Sequence, residues 1–297
     1  MAKSSASTDP KDIFVARDGL SIHTLDWGGT GPPLLLLPPN GFCAGFFDPL
    51  AQRLRDDFRI IAVDLRGQGL TDTPQDFSSG LTFSEMAADV IAVLDELEIQ
   101  QCDALGESLG GGVAAIVDDM RPGVLLRIMF CEAIAFDLGS LPTQPSNTPG
   151  DGGNFMAQIA RKRRSVWPDR ETVFASYSSR PPLNQLDPEA MRAYVRWGFV
   201  DRADGQVELA CAPEVEAQVF EISSGASGAP SAWEHLSELS AKSAVFYGNE
   251  SNLPKEWFIS QAQRIGVEAH EVLGGHFFLQ EDTARAVTLV RDFLATS

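Results

Sequence analysis

Apolar residues run without alternation through several short stretches of the chain. Leu34-Leu35-Leu36-Leu37, Arg59-Ile60-Ile61-Ala62-Val63 and Leu125-Leu126-Arg127-Ile128-Met129-Phe130-Cys131 read as strands covered on both faces. Cys102-Asp103-Ala104-Leu105 reads as a shorter strand of the same series. Ahead of them, Ile13-Phe14-Val15-Ala16 and Leu20-Ser21-Ile22-His23-Thr24-Leu25 flank Asp18-Gly19, which predicts a hairpin. Between the strands the period lengthens, and residues 46–54, 84–97 and 111–120 read as helices. In the second of these, Met86, Val90, Val93, Leu94 and Leu97 share one side, and Thr82 or Ser84 can cap the start. Strands alternating with helices predict a parallel sheet with right-handed crossovers.

The rhythm breaks after the strand ending at Cys131. Residues 138–154 are rich in Gly, Pro, Ser and Asn. Residues 155–221 read as largely helical, with Arg161-Lys162-Arg163-Arg164 on one helix, and residues 223–231 form a second Gly/Ser/Pro-rich stretch. Two such stretches around a helical region predict hinges around an inserted cap. The earlier pattern then resumes. Ala244-Val245-Phe246-Tyr247 and residues 268–273 read as strands, and residues 254–265 and 284–294 as helices. The expected organisation is an α/β core from residues 1–137 and 241–297, interrupted by a helical cap over residues 138–240. A length of 297 residues suits one large domain carrying an insertion.

Composition narrows the function. Asp and Glu number 41 against 23 Lys and Arg, for a formal net charge of −18. A surface this acidic repels phosphate backbones, so no nucleic-acid partner is expected. The longest apolar candidate, residues 32–39, falls far short of a membrane span, and no membrane partner is expected. The first ten residues hold no apolar segment, so no secretory signal is expected. Cys43, Cys102, Cys131 and Cys211 are widely spaced, with no CxxC pair and no adjacent His. They read as small buried hydrophobes in a reducing cytoplasm, and neither metal nor disulfide framework is expected.

The chemistry centres on Gly106-Glu107-Ser108-Leu109-Gly110, a G-x-S-x-G pattern between a short strand and a Gly-rich helix start. A serine there sits on a sharp turn that only small flanking residues allow, and the following helix offers N–H groups to a developing oxyanion. Serine needs a base to take its proton. Of the four histidines, His23 lies in the hairpin, His235 near the end of the cap and His270 inside a strand. His276 follows a strand and two glycines, which puts it at the carboxyl edge of the sheet with Ser108. The base needs a carboxylate to fix its tautomer. Glu132 ends a strand at that edge, and Glu250 lies in a polar loop after Tyr247; Glu132 is preferred and Glu250 is kept as the alternative.

Together these motifs resemble the α/β-hydrolase superfamily, in its branch of serine hydrolases with a helical cap. Asn40-Gly41-Phe42 lies where relatives usually carry His-Gly-x, and Asp64-Leu65-Arg66-Gly67-Gln68-Gly69 resembles their D-x-R-G-x-G segment. Gly275-His276-Phe277-Phe278 resembles the loop of the catalytic histidine. The similarity runs from about residue 13 to 294 and is weakest in the cap. It implies Ser108 as nucleophile, His276 as base, and the backbone N–H groups of Phe42 and Leu109 as oxyanion hole. The chain departs from the pattern at Asn40 and at Ser251, where many relatives place the acid; others place it after the strand ending here at Glu132.

The expected activity is hydrolysis, without cofactor or metal, of a small to medium, largely uncharged ester, thioester or lactone through an acyl-enzyme. Hydrolysis of a carbon–carbon bond in a ring-cleavage-type diketone is the alternative with the same residues, and a ligand-binding protein with a silent triad is the non-catalytic one. Two further groups read as bland. The basic run 161–164 is a solvated face rather than an anion clamp. Trp167, Trp197, Phe199, Trp233 and Trp257 are packing, and Asp48 and Arg66 are structural.

Overall fold

A computed structural model describes residues 9–137 and 154–295. The chain opens with the hairpin, β1 (Lys11–Arg17) and β2 (Leu20–Gly28), followed by β3 (Pro33–Leu37), helix α1 (Asp48–Leu54) and β4 (Arg59–Val63). A single turn α2 (Phe77–Gly80), the long α3 (Phe83–Glu96), β5 (Cys102–Glu107), α4 (Leu109–Met120) and β6 (Leu125–Cys131) complete the first part. Then come α5 (Phe155–Arg161), β7 (Val166–Trp167), α6 (Arg170–Tyr177), α7 (Pro188–Trp197), β8 (Phe199–Asp201), β9 (Val207–Leu209), α8 (Pro213–Ser223) and α9 (Ala229–His235). The last part holds β10 (Lys242–Gly248), α10 (Lys255–Ile265), β11 (Ala269–Val272), α11 (Phe278–Glu281) and α12 (Thr283–Ala295).

The main sheet has eight strands in the order β1-β2-β4-β3-β5-β6-β10-β11. The β1-β2 and β2-β4 pairs are antiparallel and the other pairs parallel. The unbroken apolar runs follow from burial on both sides. In β3, Leu35 and Leu37 enter the core under α3 and α4, while Leu34 and Leu36 enter the opposite core with α1 and α12. Each of these leucines is no more than 1% exposed, and burying one stabilises the fold by about 2 kcal/mol. Because β3 to β6, β10 and β11 run parallel, their carboxyl ends share one edge, where α/β folds gather ligands and reacting groups.

Thr82 caps α3, its side chain accepting from the Glu85 N–H. The helix expected over residues 46–54 divides: a 3-10 turn, Ala44–Phe47, precedes α1, whose first turn contains Pro49. Proline fits the first turn of a new helix but not the interior of a continuous one. The strand expected over residues 102–105 runs on to Glu107, and its helix starts at Leu109 rather than residue 111.

The region read as largely helical also contains a three-stranded antiparallel sheet, in the order β7-β9-β8. Strands of two and three residues are too short to show a period-2 pattern. The basic run does not share one helix either, since α5 ends at Arg161 and Lys162 is its C-cap. The Gly/Ser/Pro-rich stretch 223–231 is shortened by α9, which starts at Ala229 with Pro230 in its first turn. Most of the stretch 138–154 lies outside the described residues. Among the described residues, no helix is long and apolar enough to cross a membrane.

Candidate active site

β5 delivers Ser108 to the carboxyl edge. Its backbone takes φ 53° and ψ −117°, a conformation that costs a non-glycine residue about 1–3 kcal/mol. The flanking glycines permit it. A Cβ at Gly106 would lie 2.5 Å from the Gly111 Cα, and one at Gly110 would lie 2.1 Å from the Leu37 carbonyl oxygen. The Ser108 N–H donates to the Cys131 carbonyl at 2.9 Å, and its own carbonyl accepts from the Ile134 N–H at 2.8 Å. The serine is thus bonded to the chain on both sides of Glu132. Leu109 begins α4, so its N–H is among the first-turn donors that a helix leaves without an internal partner.

Glu132 directly follows β6 and is fully buried, with φ 47°. Its carboxylate accepts three hydrogen bonds. Oε1 accepts from the Gly248 N–H at 2.8 Å, and Oε2 from the Ser251 hydroxyl at 2.7 Å. Oε2 also lies 2.6 Å from Nδ1 of His276, which stands in the loop after β11. Glu250, the alternative acid, is exposed, and its N–H donates to the Gly274 carbonyl. The structure therefore brings Glu132 to His276 and leaves Glu250 at the surface. Ser251 was read only as a departure from a pattern; its hydroxyl is a direct partner of Glu132.

The third part of the edge is the loop after β3. The Gly41 N–H donates to Gln68 Oε1 at 2.8 Å, which ties this loop to the Asp64-to-Gly69 segment. Asn40 donates from Nδ2 to the Glu216 carbonyl at 3.0 Å. The Phe42 N–H reaches the Pro39 carbonyl at a long 3.3 Å. The Phe42 ring packs on Phe277 with centroids 4.9 Å apart, and Phe277 in turn packs on His276 at 4.9 Å. The loop and the histidine are thus neighbours through their aromatic rings.

Glu107, the variable position before the serine, escaped the sequence reading. It is buried, accepts from Gln280 Nε2 at 2.9 Å through Oε2, and has no partner at Oε1 among the described residues. Burial, reinforced by the charges of Glu132 and Glu281 and opposed by the Gln280 bond, pushes its carboxyl up to about 8. Glu107 is therefore mostly neutral at pH 7. The unfolded chain releases this proton near pH 4.5 and the folded chain near 8. Stability contributed by the protonated form is whole below pH 4.5 and is lost as pH rises through 8. Glu107→Gln, which cannot ionise, is expected to remove that loss, so its advantage over the parent grows to a few kcal/mol by pH 8.5. Urea unfolding from pH 6 to 8.5 measures it, and parallel curves for the two proteins would refute it.

The other histidines lie elsewhere. His23 is buried between Asp64, 2.6 Å from Nδ1, and Asp12, 3.0 Å from Nε2. His235 pairs with Asp119 and His270 stacks on Phe246. Trp257 packs on Phe136 in the core, and Trp233 lies under Arg264. Asp48 accepts from the Trp27 indole, and the buried Arg66 pairs with Asp89. The basic run divides. Arg161 pairs with Glu214 and Glu221, Arg164 bonds the Val166 carbonyl, and Arg163 turns inward. All four cysteines are separate buried thiols. Among the described residues, no group of three or more His, Cys, Asp and Glu side chains is arranged to hold a metal ion.

Residues 34–288 match the model of the alpha/beta hydrolase family, a span that covers Ser108, Glu132 and His276. The chain belongs to this family. Its curated relatives in the family are distant. An uncharacterized protein of Mycobacterium tuberculosis is 32% identical over 122 residues, 38% of this chain and 35% of the relative. A non-heme chloroperoxidase of Streptomyces lividans is 30% identical over 156 residues, 51% of this chain and 55% of the relative. The chain thus spans less than two thirds of the length of either. Among solved structures, E-2-(acetamidomethylene)succinate hydrolase superposes with a TM-score of 0.78 at 18% identity, covering 97% of this chain and 100% of the other. That likeness establishes the shared alpha/beta hydrolase fold, with its mostly parallel eight-stranded sheet flanked by helices.

Proposed function

We propose that the protein is a serine hydrolase in which Ser108, His276 and Glu132 form the triad, acting on a small to medium, largely uncharged ester, thioester or lactone. The observation that carries this reading is the buried Glu132 carboxylate 2.6 Å from His276 Nδ1, at the sheet edge to which β5 delivers a serine on a turn with positive φ. Glu132 holds the proton on Nδ1, which leaves Nε2 free to act as base. The Ser108 hydroxyl attacks the carbonyl carbon and His276 takes its proton. The Phe42 and Leu109 N–H groups hold the oxyanion. His276 returns the proton to the leaving oxygen or sulfur, and an acyl-enzyme remains. Water, activated by His276, then releases the acid.

An uncharged substrate is supported by two features. The net charge of −18 repels anions, and the side chains of Arg161 and Arg163 already pair with glutamates of this chain. On this reading residues 138–240 act as a cap over the catalytic edge. The separate buried thiols fit a reducing, cytoplasmic setting.

A fluorophosphonate label mapped by mass spectrometry, followed by acyl, lactone and dienone substrates, tests the proposal. Labelling of Ser108 and turnover of p-nitrophenyl butyrate or a lactone are expected. A folded protein that resists the label points to a binding protein. Labelled protein that ignores esters yet cleaves a coloured dienone points to carbon–carbon hydrolysis.

A further inference from the structure

Three side chains from outside the main sheet converge on the loop that carries Phe42. Arg163 follows α5, Tyr194 is in α7 and Glu216 in α8. The Arg163 side chain is 19% exposed and that of Glu216 10%, while Tyr194 is 1% exposed. Arg163 Nη1 donates to Glu216 Oε2, and Nη2 donates to the Tyr194 hydroxyl oxygen at 2.7 Å and to that of Tyr177 at 3.4 Å. The Tyr194 hydroxyl in turn donates to the Gly41 carbonyl at a long 3.3 Å. That carbonyl and the Phe42 N–H belong to the same peptide unit. Glu216 closes the loop from its other side. Its backbone carbonyl accepts from Asn40, and a Cβ at Gly41 would lie 2.7 Å from its Cδ.

A mostly buried ion pair is a poor source of stability, because desolvation cancels much of its attraction. This one ends in a hydrogen bond to a single backbone carbonyl. We propose that Arg163 and Tyr194 are positioning residues that orient and polarise the Gly41–Phe42 peptide, strengthening the Phe42 N–H as an oxyanion donor. The inference rests on the reading of Ser108 as nucleophile.

A hydrogen bond to an amide oxygen draws charge from its nitrogen and makes the N–H a stronger donor. Bonds in series reinforce one another by about 10–30% each. Burial pushes the Tyr194 hydroxyl above its ordinary range, so it keeps the proton it donates. Burial works against charge on Arg163, but Tyr194 and Glu216 outweigh it and the guanidinium stays charged. Burial raises the Glu216 carboxyl, while Arg163 pulls it back down. The long 3.3 Å bond from the Phe42 N–H to Pro39 is one that an incoming oxyanion can displace.

Tyr194→Phe removes the hydroxyl and keeps the ring, which Phe42 and Phe46 hold at centroid distances of 4.6 and 5.8 Å. With p-nitrophenyl butyrate, kcat is expected to fall about tenfold, a fraction of the 10²–10³ that an entire oxyanion donor supplies. KM should stay within about twofold. Affinity for a trifluoromethyl ketone, whose adduct on Ser108 carries the oxyanion, should fall by the same factor as kcat. Arg163→Met should give a similar loss, and the double variant should be no worse than the more damaged single one, because both act through one bond. Should the stranded Glu216 unfold Arg163→Met, Tyr194→Phe alone decides. A Tyr194→Phe enzyme with unchanged kcat and ketone affinity, or with a loss confined to KM, overturns the proposal. Fluorophosphonate labelling separates the two levels. Labelled Ser108 with an indifferent Tyr194→Phe sinks the polarised peptide alone, whereas absence of label sinks the hydrolase reading beneath it.

Discussion

Ser108→Ala is expected to lower kcat for p-nitrophenyl butyrate by about 10⁶-fold, with substrate binding little changed. On the proposed mechanism no acyl-enzyme forms without the hydroxyl, and His276 has no proton to accept from a nucleophile. On the same reading, the residual rate over water would come from binding and the oxyanion N–H groups. Ser108 is 7% exposed and Ala removes one oxygen from a turn that Gly106 and Gly110 already keep clear, so the fold should survive. Single-turnover kinetics and loss of the fluorophosphonate label check it. A Ser108→Ala protein that turns over at the parent rate would show that the nucleophile lies elsewhere.

Glu132→Gln is expected to cost about 10⁴-fold in kcat, and Glu250→Gln less than about twofold. The reason is donor and acceptor count. Glu132 accepts from Gly248 and Ser251 and faces His276 Nδ1, with both oxygens engaged. A glutamine has one oxygen. Its NH₂ must then face either the Gly248 N–H or the imidazole, and the latter forces the proton onto Nε2, where it blocks the base. Glu250 is exposed and has no such role. Steady-state kinetics of both variants decide the matter, and a larger loss at 250 than at 132 would reassign the acid.

The sequence carries much of this arrangement and hides some of it. Leu34 to Leu37 and the run ending at Cys131 announce buried parallel strands because both faces are covered. The serine's turn is legible for a similar reason: Gly106 and Gly110 touch backbone so closely that no other residue fits. Glu132 and His276 are legible as strand-end and loop residues, but their 2.6 Å contact joins β6 to the loop after β11 across 144 positions. No local pattern reports such a pairing. The roles of Ser251, Gln68 and Glu107 stayed hidden because their partners are distant in the chain; only burial and hydrogen bonding reveal them. The short strands β7, β8 and β9 hold too few residues to show alternation. Arg163 was hidden inside a charge run whose members have different surroundings, one inward and the others outward.

The order of the strands has a consequence for biosynthesis. β10 and β11 dock beyond β6, so the edge that gathers Ser108, Glu132 and His276 is completed only by segments from Lys242 onward. A nascent polypeptide that has emerged only as far as β6 carries its serine with neither the imidazole nor the finished sheet edge beside it. On the proposed reading, a fragment that stops before β11 and its histidine loop is inert as a hydrolase.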